Sequence, residues 1–323
     1  MHRTLTTLFG AASRLRRIDA PLTLTGLAML PVLTWALAGL VLDPRLIAGA
    51  PAWLKPAKFA ASAAVYSLTL AWIFSYLPAW TRTRRLVGRT TAGVFVLEVA
   101  LVCLQAWRGT TSHFNVATPA DGLVFGVMGL AIAAQTAASA FVLIALWRQP
   151  FTDRAMGTAL RAAMLITLLG AASAGFMTRP TAAQMQDIAA GRVPAAAGAH
   201  TVGGPDGGPG LPGTGWSTAH GDLRVPHFVG LHALQVLPLV ALWLRRRSDD
   251  EARAVRRAAA SYSALFGLLL WQALRGEALF APGPVTSILF VAWAALSIAA
   301  LWLVTAARRS NTWEAAGDSA PVY

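Results

Sequence analysis

A single cysteine, Cys103, lies inside an apolar run. That scarcity removes a disulfide framework, a zinc ribbon and a CxxC redox pair within one chain. Charge is scarce as well: only 13% of the 323 residues are Asp, Glu, Lys or Arg, against about 25% in ordinary soluble domains. There is no HExxH pair and no paired aspartate-rich motif of the prenyl-transferase kind. No basic stretch is interleaved with aromatics, so the net charge of +13 does not read as nucleic-acid binding. Arg3, Arg14, Arg16 and Arg17 precede Pro21 without the short apolar core and cleavage site of a removable signal peptide, so the first apolar span is expected to be a retained anchor.

Apolar residues are what the chain has in excess, at 56%, with mean hydropathy +0.54. Segments able to cross about 30 Å of hydrocarbon fall near 21–42, 58–79, 86–108, 122–147, 160–178, 226–244, 258–275 and 284–306. The fifth is the weakest, because Arg161 sits near its start and must snorkel. Most of the arginines lie in the N-terminal tail, at Arg82 to Arg89, at Arg148 to Arg161, at Arg245 to Arg257 and at Arg308 to Arg309. If these sides are cytoplasmic, as in a bacterial inner-membrane protein, both termini are inside and the lipid bilayer is the first partner. Trp53, Trp107 and Trp271 then mark the outer interface, and Trp80, Trp147, Trp243 and Trp302 the inner one.

Gln105-Ala-Trp-Arg108-Gly109 closes the third span and returns as Gln272-Ala-Leu-Arg275-Gly276 at the end of the seventh. Arg89 and Arg256 precede the two copies at the same offset, and Lys58-Phe59 resembles His227-Phe228. The expected fold is therefore all-α: a polytopic membrane protein of eight transmembrane helices in two parallel-repeat four-helix halves. A cytoplasmic tail covers 1–20, the first half 21–156, and the second half 157–307, including an outer Gly/Pro-rich loop at 179–224. A disordered cytoplasmic tail, 308–323, ends the chain. The GxGxxG match in that loop, Gly208 to Gly213, follows no strand and opens no helix, so it reads as a tight turn rather than a phosphate cradle.

Polar residues nominate the site. Glu98 is the acidic residue well inside a span, either a structural hydrogen-bonding group or a proton-handling one. Gln105 and Arg108 follow it on the same helical face. Lys58, with Lys55, places cations at the outer face against the positive-inside bias. All histidines except His2 fall on the outer side: His113, His200, His220, His227 and His232. Neutral imidazole ligates haem iron, Cu or Zn, or relays protons. The segment from His220 through Asp222 and Arg224 to His227 brings opposite charges and two imidazoles into the membrane together, a salt bridge at a helix start being its simplest role. Arg108 and Arg275, with Gln105 and Gln272, either cap helix ends or clamp an anionic small molecule or lipid.

Eight helices in two halves, with histidines near the outer ends of even-numbered spans, resemble the haem A synthases in architecture. The resemblance implies His227 or His232 as the ligand of the sixth span, with His113 near the position of the fourth. Lys58 stands where the second span of that family carries histidine, the eighth span has none, and the family's paired outer cysteines are absent. Three function classes stay open. One is a redox or cofactor protein with haem or a metal ion held by His113 and His227 or His232. Another is a proton-coupled transporter in which Glu98, Gln105, Tyr66 and Gln235 line a cavity and Pro238 bends a helix. The third is a lipid-headgroup or isoprenoid enzyme using Lys55, Lys58, Arg108, histidine and Asp222. A structural place in a larger complex is a further expectation.

Overall fold

The computed structural model describes residues 2–245 and 250–317. Ten helices, α1 to α10, are assigned among the described residues, at His2–Ile18, Ala20–Leu42, Leu54–Ile73, Thr81–Trp107, Pro119–Arg148, Arg154–Ser173, Ala182–Ala189, Arg224–Leu244, Glu251–Leu274 and Pro284–Gly317. The only strands among the described residues form two minimal hairpins. The first pairs β1 (Leu46–Ile47) with β2 (Ala50–Pro51), and the second pairs β3 (Thr201–Val202) with β4 (Gly221–Asp222), both antiparallel.

Among the described residues seven helices are long and apolar enough to cross a membrane: α2, α3, α4, α5, α6, α8 and α10. The chain is a multi-pass helical membrane protein. The remaining expected span is α9, a 24-residue helix whose first turns carry Glu251, Arg253, Arg256 and Arg257, so its apolar part is shorter. Two helices have no counterpart among the expected spans. The first is α1, amphipathic and without an acidic residue in its first turn; the second is α7, a short helix within the loop, started by a Thr181–Gln184 capping box. At the other end, α10 continues to Gly317, into the stretch read as a tail; 318–323 lie outside the described residues.

Helix starts follow local chemistry. Asp19 accepts from the Leu22 amide to cap α2, Thr118 from Asp121 to cap α5, Asp153 from Met156 to cap α6, and Asp250 from Arg253 to cap α9. Both α4 and α6 begin several residues before the apolar runs expected for them, because their first turns are basic. Arg161 is fastened rather than merely snorkelling: its guanidinium donates to the Leu146 carbonyl at 2.9 Å and to Gln149 at 2.8 Å, closing the end of α5. Pro238 lies inside α8 without ending it.

The helices pair in the same order in each half of the chain. α2 packs extensively on α3 and α6 on α8; α3 then meets α4 as α8 meets α9. The apolar core lies toward the arginine-rich end of the bundle, where Leu70, Phe74, Val142, Leu146, Met156, Leu160, Leu234 and Leu237 bury almost completely. Both halves feed this one cluster. At the opposite end smaller apolar clusters, around Trp53 and around Phe114, Met177 and Leu223, are interspersed with polar side chains, and the loop packs over them.

Candidate functional site

The loop between α6 and α8 is stitched to both halves. On the first half, Val116 donates to the Ala195 carbonyl, Ala197 to Phe114, and Lys58 Nζ to Thr214 at 2.9 Å. On the second, Gly221 sits so close to α9 that an added Cβ would meet the Ala273 carbonyl at 2.2 Å. The Gly208 to Gly213 stretch is a turn as expected: Gly210 bridges to Ser217, and Gly213 has φ of +75°. Asp206 latches the loop internally, accepting from the amides of His200 and Thr201 and from the His200 ring, with Nδ1 at 2.9 Å.

Beneath this cover lie Lys55, His113, His200 and His227. Each is partly buried and keeps some accessible surface. Lys55, His200 and His227 are all close enough for their charges to act on His113. Burial, reinforced by those neighbours, holds the His113 imidazole well below its ordinary pKa, so it is neutral. Burial also lowers His200; its Asp206 hydrogen bond pulls the other way, while Arg224 and Lys55 add to the lowering. Burial alone would raise the Asp206 carboxyl, but the His200 ring and the amides of His200 and Thr201 bring it below the carboxylate range.

The imidazoles share a pattern. Nδ1 of His227 lies 2.8 Å from the Gly170 carbonyl on α6, so it donates, and Nε2 is left for another partner. His200 spends Nδ1 on Asp206, and His113 places Nδ1 3.1 Å from the Ser112 hydroxyl. Edge contacts with Phe59 and Phe114 orient the His113 ring. His232 spends Nδ1 on the Phe228 carbonyl one turn back and stacks on that ring, a quarter-turn and more away from His227. Fixing one ring nitrogen on protein is how ligand histidines are oriented for the other. Among the described residues, however, no three His, Cys, Asp or Glu side chains are grouped as a metal site.

The two Gln-Ala-x-Arg-Gly copies adopt one conformation. Gly109 and Gly276 have φ of +73° and +75°. Their amides return to Ala106 and Ala273, and the next amides, of Thr110 and Glu277, to Gln105 and Gln272. This is the Schellman helix stop. Each glutamine then ties the following turn, Gln105 to Asp121 at 3.0 Å and Gln272 to the Ala278 carbonyl at 2.7 Å. Each arginine is paired locally, Arg108 with Asp121 at 2.7 Å and Arg275 with Glu277 at 2.6 Å.

Asp222 is buried and spent on Arg224, at 2.5 Å, and on the Ser217 amide at 2.7 Å, the salt bridge that its sequence context suggests. Glu98 is 2% exposed and neither of its oxygens has a hydrogen-bond partner among the described residues. Lys55 and His200, noted in the sequence among the outer cations and histidines, join the cluster, and Asp206, which sequence reasoning did not set in the site, completes it; the six-residue spacing from His200 to Asp206 inside a glycine-rich loop was the available signal. Comparison with protein-family models, with curated proteins and with solved structures finds no match for the chain.

Proposed function

We propose that the chain is a membrane redox or cofactor-binding protein whose hollow, under the loop, holds a haem-type group, with the loop end facing away from the cytoplasm of a bacterial inner membrane. One observation carries this: His227 donates Nδ1–H to the Gly170 carbonyl of the neighbouring helix and leaves Nε2 without a protein partner among the described residues. His113, neutral and ring-packed, is the second candidate ligand.

The donor set suits a haem better than a bare metal ion. Lys55 and Lys58 bring two amines to the site, Lys58 donating to the Thr214 carbonyl and Lys55 lying over the Phe59 ring, and carboxylates carried on a macrocycle would suit them as partners. When bound, such a group would supply one-electron chemistry. The protein's own residues do the rest: the Gly170 carbonyl sets the His227 tautomer, Phe59 and Phe114 hold the His113 ring, and the loop limits water access. Arginines concentrated at the other end of the bundle support the orientation. The shared helix-packing order and the two identical helix stops support a parallel repeat of eight spans, with α9 as the seventh.

An absorption spectrum, a pyridine haemochrome assay and metal analysis of the detergent-purified protein test the reading. A Soret band is expected, lost in His227→Ala and retained in His232→Ala. A purified chain with neither a Soret band nor stoichiometric metal would overturn it.

A further inference from the structure

Glu98 is the buried acid that a haem-type reading leaves unused. It sits midway along α4, beside the apolar cluster of Met29, Ala60, Ala63, Ala64 and Val99. Both carboxylate oxygens are out of contact with solvent and with any hydrogen-bond donor. An ionised carboxylate is strongly disfavoured in such surroundings, whereas the neutral acid is tolerated. On the adjacent helix α3, Lys55 likewise makes no hydrogen bond or ion pair among the described residues; it contacts the Phe59 ring at 5.8 Å. Its charge is the one that reaches Glu98.

The buried hydroxyls of Thr91 on α4 and Ser67 on α3 also lack partners among the described residues but carry no charge, and the other titratable groups around α4 are occupied or distant. On α3, Lys58 is held by the Thr214 carbonyl, and the Tyr66 hydroxyl by Ser139 and Gln135. On α5, Asp121 is paired with Arg108 at the loop end, and Arg148 lies at the opposite end. On α4 itself Arg89 and Arg108 stand toward opposite ends, and α2 carries no charged residue. A carboxyl and an amine, neither with a hydrogen-bond partner among the described residues, therefore lie on adjacent helices within reach of each other's charge.

We propose that Glu98 is a proton-binding site, carried as the neutral carboxylic acid and exchanging its proton with water in the hollow at Lys55. On release the O–H bond of Glu98 breaks, its electron pair stays on the carboxylate, the proton passes to water, and the Lys55 ammonium compensates the charge left behind. On uptake the steps reverse. The site needs no cofactor, so it stands or falls separately from the haem-type reading.

The test treats the purified full chain with N,N′-dicyclohexylcarbodiimide, which adds to protonated carboxyls in apolar settings, and reads adducts by peptide mass spectrometry from pH 6 to pH 9. The expected result is an adduct on Glu98 at pH 6 that falls at least about tenfold by pH 9. In Lys55→Met, checked for folding by gel filtration, labelling persists to higher pH; Lys55→Arg keeps the native profile. Infrared spectroscopy supplies an independent reading if the reagent is blocked: a protonated-carboxyl band present in the native chain and missing in Glu98→Gln. Absence of both adduct and band, or a Lys55→Met profile identical to the native one, overturns the proposal.

Discussion

A methyl group at Gly170 would lie 2.7 Å from the Cα of Gly230, and one at Gly230 would lie 2.5 Å from the Cα of Gly170. Two facing glycines thus let α6 and α8 approach closely, the small-residue contact that membrane helices use in place of a hydrophobic driving force. It also brings the Gly170 carbonyl within reach of His227. Gly170→Ala is expected to destabilise the protein by about 1–3 kcal/mol through overpacking, seen as a lower melting temperature in detergent. Gly129→Ala, with nothing within 4 Å of the new methyl, should leave it unchanged or raise it. The histidines carry a second prediction. His113 and His200 titrate in the folded protein below their ordinary value, so the unfolded chain binds more protons across that window. Stability is fully present above about pH 6.5 and is lost as the pH falls below it. Asp206 titrates too low to contribute between pH 8 and pH 5. The melting temperature should therefore drop from pH 8 to pH 5, and His113→Phe should reduce the drop; an unchanged pH profile in that variant would refute the assignment.

At the scale of elements, Gln-Ala-x-Arg-Gly explains its own recurrence as a helix stop. Placing Ala at Gly109 or Gly276 puts a Cβ where φ is +73° or +75°, which costs about 1–2 kcal/mol, and equal losses of melting temperature in the two variants would mark the copies as equivalent. The loop is the second element open to test. Asp206 gathers two amides and a ring nitrogen, so Asp206→Ala should release the cover and raise the rate of proteinase K cleavage between His200 and Trp216 without changing total helix content. The spans themselves were legible because apolar length is a local property. Their starts were not, since 81–85 and 154–159 look like loop by composition, yet are helical, the second behind an Asp153 cap and the first with no side-chain cap. The helix α7 was hidden for the same reason, its Gln and Asp being unremarkable until the capping box forms.

For the molecule as a whole, an apolar core at one end and a sewn-on cover at the other make a bundle with two unlike faces. Orientation in the membrane is tested with single cysteines introduced into a Cys103→Ser background. A membrane-impermeant maleimide should label Gly208→Cys in intact cells with an opened outer membrane and label Arg85→Cys only after the inner membrane is permeabilised. Labelling in the reverse order would invert the topology and place the hollow on the cytoplasmic side.

The amino-acid sequence by itself determined that the chain is helical and membrane-spanning, where most helices run, that a helix-ending motif occurs twice, and that histidines collect at one end. These follow from hydrophobic length, capping and charge bias, all readable over a few turns of chain. Only the tertiary structure decided which groups are spent and which are free. Arg108 meets Asp121 at the start of the next helix and Arg275 meets Glu277 just beyond it, Asp222 meets Arg224, His227 commits one nitrogen to a glycine of another helix, and the buried Glu98 has no hydrogen-bond partner among the described residues. Burial and pairing depend on what distant segments pack alongside, and that is a property of the assembled bundle.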